Sequence, residues 1–349
     1  MSPFPRGPFR AIRRYTPDRR PVEIDLSDNT NRWGPHPAAL QLIRAAAEED
    51  LIRYPSVYSD GLRAAIARRF GISEDAIVTG CGSDDLLDSV FRAGADAGDR
   101  VSYVPPTFVM VEIFAHANGL EPRPVPTAVA SDPEALLEGS PAVVYLCRPN
   151  NPTGEVAPRS WVERLLEAAG PGGPIVLLDE AYADFADDDF LKEAAASQRL
   201  VVLRTFSKAY GLAGLRVGFA VGPVEVVAEI EKARGPYKVG RTAEGAATAA
   251  IEDREAWVQG IVSMVRNERG QLVRELEARN LQPLPSGANF LLIPLRGRSA
   301  SQVTARLRER GVAVRPFPEL PGIGDAIRVT IGPSAEIARF LADLDEVLE

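Results

Sequence analysis

Four short segments carry side chains able to do chemistry, and each follows a run of apolar residues. The last of them is Arg204-Thr205-Phe206-Ser207-Lys208, with Gly211, Gly214, Arg216 and Gly218 close behind. A lysine on a polar, glycine-rich segment between apolar runs reads in two ways. It is either a solvated surface amine or a desolvated amine of lowered pKa that can form a Schiff base with a carbonyl. Ahead of it, Ile175–Leu178 runs into Asp179-Glu180-Ala181-Tyr182. A carboxylate where a buried strand ends is costly unless it meets a cation. Asp179 is therefore one half of a salt bridge, or the partner of a protonated ring nitrogen. Arg148-Pro149-Asn150-Asn151-Pro152-Thr153-Gly154 is a turn-rich run that, alone, is an ordinary loop. In Thr79-Gly80-Cys81-Gly82-Ser83-Asp84-Asp85, small residues let backbone N–H groups approach an anion such as phosphate at a helix start. Ser83 and Asp84 serve equally well as caps of that helix.

These segments need a scaffold that presents strand ends to a common crevice. Ala76–Thr79, Arg100–Val104, Ala142–Cys147, Ile175–Leu178, Leu200–Arg204 and Val217–Val221 read as strands. Most are nearly continuous in apolar residues, as strands covered on both faces are. Amphipathic stretches such as Asp84–Ala93 and Ser160–Ala169 lie between them, the second entered through Pro158. The alternation predicts an α/β fold with a mostly parallel sheet and right-handed crossovers. In such sheets ligands bind at the carboxyl ends of strands.

The pattern changes near residue 254. A long helical stretch, Arg254–Arg279, is followed by the apolar run Asn289–Leu295 and a helix at Ser301–Arg310. A strand at Ile327–Ile331 and a last helix from Ser334 complete it. Ser299 with Gln302 reads as a capping box. We expect a large domain over 46–253 and a smaller α+β domain at 254–349, with segment 1–45 packed against the smaller domain or in the crevice between the two.

Composition narrows the function. The chain has 349 residues, of which 45% are hydrophobic and 25% charged, so it is globular, with two domains, or one large one with an appendage, expected at about 100–200 residues per domain. Forty basic against 48 acidic residues leave a charge of −8, which argues against a nucleic-acid partner. Cys81 and Cys147 stand alone, excluding a disulfide framework or a cysteine-rich zinc site and fitting a reducing cytoplasm. No apolar run approaches the ~20 residues of a membrane span. Residues 1–14 lack the apolar stretch of a secretory signal. Gly80-Cys81-Gly82 begins like a dinucleotide fingerprint, but Asp85 stands where the third glycine belongs, and no Walker motif occurs. The two histidines, His36 and His116, read as a turn residue and a helix-surface residue, which demotes metal hydrolysis and Ser-His-Asp catalysis.

Taken together, the four segments resemble the fold-type I pyridoxal-phosphate enzymes and, within them, the histidinol-phosphate aminotransferases. The resemblance runs from Tyr15 onward. It rests on Pro149-Asn150-Asn151-Pro152-Thr153-Gly154, on Asp179-Glu180-Ala181-Tyr182, and on the stretch from Arg204 through Ser207-Lys208 to Arg216-Val217-Gly218. The order and spacing of the three make the match specific.

The resemblance implies roles. Lys208 holds pyridoxal 5'-phosphate covalently and then moves a proton. Asp179 faces the ring nitrogen and keeps it protonated. Asn151 and Tyr182 hydrogen-bond the ring's 3-oxygen, and Phe108 stacks on the ring. Gly82, Ser83 and Asp84 offer backbone amides to the cofactor phosphate, joined by Ser207 and Arg216. Tyr54 reaches the phosphate of a neighbouring subunit, which implies a homodimer with shared sites. Arg328 grips the anionic end of the substrate, and Arg315, Tyr15 and Asn29 match further substrate-side positions. Relatives carry Asn-Glu-Asn-Pro-Tyr-Gly where this chain has Asp28-Asn29-Thr30-Asn31-Arg32-Trp33-Gly34. That departure leaves an aromatic or basic amino acid, or decarboxylation of threonine phosphate, as alternatives to transamination between histidinol phosphate and 2-oxoglutarate. A ligand sensor fused to a DNA-binding module is disfavoured by the absence of a helix-turn-helix appendage or basic arm.

Overall fold

Hydrophobic strands set the architecture. A computed structural model of the chain describes residues 4–349 apart from 6, 11, 13, 15, 17, 19, 254 and 255. The strands are β1 (Ile24–Asp25), β2 (Ile77–Gly80), β3 (Arg100–Tyr103), β4 (Glu121–Pro124), β5 (Val143–Cys147) and β6 (Ile175–Asp179). They continue with β7 (Leu200–Thr205), β8 (Gly218–Val221), β9 (Phe290–Pro294), β10 (Val312–Ala313), β11 (Arg315–Leu320) and β12 (Gly324–Thr330).

Seven of them form one sheet in the order β2-β8-β7-β6-β5-β3-β4. It is parallel from β4 to β7, and β8 runs antiparallel to both β7 and β2. The mostly parallel α/β arrangement read from the sequence is thus present. Every residue of β6 and β7 is buried. Alternate side chains feed two cores, one taking Val144, Val176, Leu178 and Val202 and the other Val143, Tyr145, Leu177, Val201 and Leu203. This is the period-two division that a sheet covered on both faces requires.

Four strands, β1, β4, β10 and β11, escape sequence reading, and for the first two the reasons are identifiable. Glu121-Pro122-Arg123-Pro124 contains no apolar run, and its prolines are tolerated because β4 is an edge strand. The two-residue β1 is recognisable only through its parallel pairing with β10, Ile24 opposite Val312. A second sheet, β11-β12-β9, is antiparallel and sets Arg315 opposite Arg328.

Helix boundaries shift slightly. The helix expected at Asp84–Ala93 spans Gly82–Gly94, and the one expected at Arg254–Arg279 spans Trp257–Ala278, with 254 and 255 outside the described residues. Ser299 does cap the helix Ala300–Glu309, its hydroxyl accepting from the Gln302 N–H at 3.4 Å. His36 requires a correction. It is not a turn residue but a buried side chain at the start of the helix Pro37–Arg44, 3.2 Å from Asp253 and edge-on to Trp257.

Leu177 sits fully buried in the middle of β6. Leu177→Ala should lower the unfolding free energy by about 2–5 kcal/mol in urea titrations, because neighbouring strands cannot collapse into the void. A loss below about 1 kcal/mol would contradict this packing.

Candidate active site

The sheet topology brings the chemical segments to one edge. β2, β5, β6 and β7 end there, and the antiparallel β8 begins there, so the turn between β7 and β8 returns Lys208 and Arg216 to the same place. Cys147 pairs with Asp179 across β5 and β6, and Thr205 pairs with Gly218 across β7 and β8. A cavity of about 650 Å³ opens at this edge. It is lined by Ser83, Asp84, Phe108, Asn151, Asp179 and Tyr182, together with Ser207, Lys208 and Arg216. Asp28, Asn29 and Thr30 reach it from the loop after β1, and Arg315, Phe317 and Arg328 from the smaller sheet. A larger hollow of about 790 Å³ lies by Ala142, Ile175 and Arg199, at the opposite strand ends, and contains none of the candidate residues.

One expected residue lies elsewhere. Tyr54 is 78% exposed and stands in a separate hollow with Gly214 and Arg241. Tyr15 lies outside the described residues. Trp33, from the loop that departs from the family pattern, packs against the hydrophobic core and does not line the cavity. Its neighbour Arg32 grips Glu336 with two hydrogen bonds of 2.9 and 2.7 Å, and Asn31 donates to the Ala209 carbonyl at 3.0 Å. The altered loop is therefore pinned beside Lys208.

Electrostatics single out the lysine and the aspartate. Burial, helped by the nearby Arg328 guanidinium, pulls the Lys208 ammonium down to about 8. Its Nζ donates to the Asp28 carbonyl at 3.3 Å. Burial pushes the Asp179 carboxyl up to about 6, against the lowering effect of hydrogen bonds from the Tyr145 hydroxyl at 2.8 Å and the Ala181 N–H at 3.1 Å. Tyr182 is also raised by burial, and its hydroxyl accepts from Asn29 Nδ2 at 3.0 Å, which leaves its own proton to donate. Asn151 Oδ1 accepts from Arg328 Nη1 at 2.5 Å, so its amide N–H₂ is turned to donate elsewhere.

The floor of the cavity is a cradle of hydrogen-bond donors suited to an anion. Arg216 adopts a left-handed backbone with φ of 54°, a strained conformation for a side chain of this size that suits a functional position. It donates to the Ser207 hydroxyl and to Asp84, each at 3.2 Å. The helix Gly82–Gly94 points its unpaired N–H groups to the same place. Beneath, the buried Arg204 ties β7 to the loop carrying Tyr182, through Asp184 at 2.5 Å and Glu180 at 3.4 Å.

Sequence reasoning missed Thr205, which accepts from the Ser207 N–H at 3.1 Å, Phe317, whose ring faces Arg328 at 5.5 Å, and Tyr145. Thr205 lay inside the lysine segment already singled out, and Tyr145 left a signal as a lone hydroxyl in the apolar strand Val-Val-Tyr-Leu-Cys.

A lysine, a buried carboxylate and an anion cradle at the carboxyl edge of an α/β sheet define the class. Residues 21–344 match the family model of class I and II aminotransferases, and the chain belongs to that family. Its fold is that of the fold-type I pyridoxal-phosphate transferases. Within the family it is 39% identical to histidinol-phosphate aminotransferase 2 of Rhizobium meliloti (strain 1021), over 97% of each chain. It is 38% identical to the histidinol-phosphate aminotransferase of Roseiflexus castenholzii, over 94% of this chain and 91% of that one. The crystal structure of histidinol-phosphate aminotransferase from Sinorhizobium meliloti in complex with pyridoxal-5'-phosphate superimposes with a TM-score of 0.90, at 27% identity, covering 100% and 98% of the two chains.

The chain has only four lysines, Lys192, Lys208, Lys232 and Lys238. At pH 8 about half of the Lys208 amines are neutral, against well under about 1% of an ordinary lysine. An acylating reagent at that pH should modify Lys208 ahead of the other three, its rate levelling off as the Lys208 amine becomes fully neutral. Peptide mapping by mass spectrometry reads this out, and equal labelling of all four would contradict the lowered basicity.

Proposed function

We propose that this protein transfers the amino group of L-histidinol phosphate to 2-oxoglutarate, giving imidazole acetol phosphate and glutamate, with pyridoxal 5'-phosphate as its cofactor. One observation carries the reading. A single lysine of lowered basicity shares a cavity with a buried carboxylate, an anion cradle around Arg216 and a second cationic station at Arg328 and Arg315. Full-length similarity to histidinol-phosphate aminotransferases supports the choice of substrate.

The residues present fit the cofactor. Gly82 has a φ of +80°, and a Cβ there would meet Arg216 Nη2 at 2.5 Å; a Cβ at Gly218 would meet the backbone of Gly82 and Ser83 at 2.7 Å. Side chains at either position would fill or spread the cradle. Its backbone N–H groups at Gly82, Ser83 and Asp84, the Ser207 hydroxyl and the Arg216 guanidinium are the donor set a phosphate takes.

When bound, the cofactor supplies an aldehyde and a ring that accepts electrons from the substrate's Cα–H bond. Lys208 would be the residue that holds the cofactor's aldehyde carbon, and its amine the group that takes the proton from the substrate's Cα. Asp179 holds a negative charge opposite the ring nitrogen. Tyr182 and Asn151 donate to the ring oxygen, the orientation that Asn29 and Arg328 impose on them. Phe108 covers one ring face. Arg328, with Arg315 and Asn29, receives the phosphate of histidinol phosphate and then the carboxylate of the keto acid, since a guanidinium binds either anion in a bidentate way.

The proposal extends to assembly. Leu51, Ile52 and Tyr54 are each more than three-quarters exposed on one short stretch, an apolar patch suited to a homodimer in which Tyr54 completes the neighbour's phosphate site. We assign 46–253 to the cofactor-binding domain, and 1–45 with 254–349 to the smaller one. We place the enzyme in the cytoplasm; no helix among the described residues is long and apolar enough to cross a membrane.

A panel of amino donors with 2-oxoglutarate, read out as glutamate, tests the substrate. Histidinol phosphate should be the best donor by a wide margin, with parallel double-reciprocal lines; another donor ahead of it, or keto-acid-independent release of carbon dioxide from phosphothreonine, would overturn the assignment. Lys208→Ala should stay folded, lose the cofactor's protein-bound absorbance and lose at least about 10³-fold in turnover. Wild-type turnover in that variant would refute the chemistry.

A further inference from the structure

We infer that Tyr145 is a positioning residue that keeps the Asp179 carboxylate ionised and correctly oriented for the cationic ring nitrogen of the cofactor, an inference that rests on the function proposed above. Tyr145 is the middle residue of β5 and is 1% exposed. A hydroxyl so deeply buried needs a partner, and its partner is Asp179 Oδ2 at 2.8 Å on the adjacent strand. The register opposes Asp179 to Cys147, so the Tyr145 side chain reaches along the sheet to make this bond. Burial and the neighbouring carboxylate hold the phenol well above its ordinary range, so the hydroxyl keeps its proton and only donates to the carboxylate. The other carboxylate oxygen accepts from the Ala181 N–H. Each oxygen therefore has one fixed protein donor, and Asp179 lines the cavity with its remaining acceptor capacity.

The surroundings leave few other groups to set this charge. Asp179 is faced by Tyr145 and Cys147 from β5, by Asp84 from the helix Gly82–Gly94, by Lys208 from the turn after β7 and by Tyr182 from its own loop. Burial holds the Cys147 thiol and the Tyr182 phenol in their neutral forms. Asp84 opposes ionisation and Lys208 favours it. With the carboxyl already pushed up to about 6, loss of the Tyr145 donor would move its titration into the neutral range. The hydroxyl bonds to the charged form, so its removal raises the carboxyl further and the negative charge is lost at higher pH.

Tyr145→Phe removes the hydroxyl and keeps the ring. The measurement is the dissociation constant of pyridoxal phosphate for the cofactor-free full-length protein between pH 5.5 and 8.5, by absorbance titration. A displacement of about one pH unit, the size expected for one charge-assisted hydrogen bond, makes the variant bind about eightfold more weakly than wild type at pH 5.5 and nearly equally at pH 8. In an Asp179→Asn background the same substitution should change nothing with pH. Tyr145→Leu also lacks the hydroxyl, and it should reproduce the displacement should the Phe variant fold poorly. A ratio constant across pH, or the same pH-dependent ratio in the Asn background, would overturn the inference while leaving the proposed function standing. Failure of the wild-type protein to take up pyridoxal phosphate at any pH would overturn both.

Discussion

Asp179 ends a strand whose residues are all buried, where solvation of a negative charge is weakened. A carboxylate in that position survives as an anion only with donors and cations arranged around it in advance. Much of the site follows from this requirement. The Ala181 N–H turns back onto one oxygen and the Tyr145 hydroxyl reaches the other. Lys208 adds a positive charge whose own basicity is reduced by the same burial, so amine and acid each sit close to the pH at which they change state. Of the two, only the amine suits general acid–base work, because Asp179 has to keep its charge.

The arginines divide the remaining electrostatic tasks. Arg216 is left partly exposed at the cradle, restrained by Ser207 and Asp84. Arg328 is buried among Asn151, Ser27 and two aromatic rings, which fixes its direction. Arg204 faces away from the cavity into an acidic cluster and acts as a brace between β7 and the Tyr182 loop. Breaking such a buried pair strands a charge, so the brace is rigid. The lysine segment and the tyrosine loop are in this way held to one another from behind.

Much of this was legible in the chain. Continuous apolar runs marked β5, β6 and β7, because strands covered on both faces leave no polar alternation to obscure them. The polar residues directly after those runs were the ones the cavity gathers, Asn151, Asp179, Tyr182 and Lys208 among them. What stayed hidden depends on distant partners. Glu121–Pro124 is a strand only because β3 lies beside it. His36 is buried only because Asp253 and Trp257 close over it. Trp33, in the loop that breaks the family pattern, turned inward to the core, whereas Arg32 found Glu336 some 300 residues away. Tyr145 looked like another core residue, and its meaning depends on which neighbour β5 acquires.

The hydrogen bonds from Asn29 to Thr330, Asn289 to Asn29 and Arg328 to Ser27 join chain segments separated by 301, 260 and 301 residues. Contacts of such span form late, after the loops between them have been closed. During synthesis the seven-stranded sheet is complete once residue 221 has left the ribosome, well before Arg328 exists. The lysine of the cavity thus belongs to a platform contained within residues 77–221, whereas Arg328 comes with the last strand, so the cavity closes only when the two ends of the chain meet.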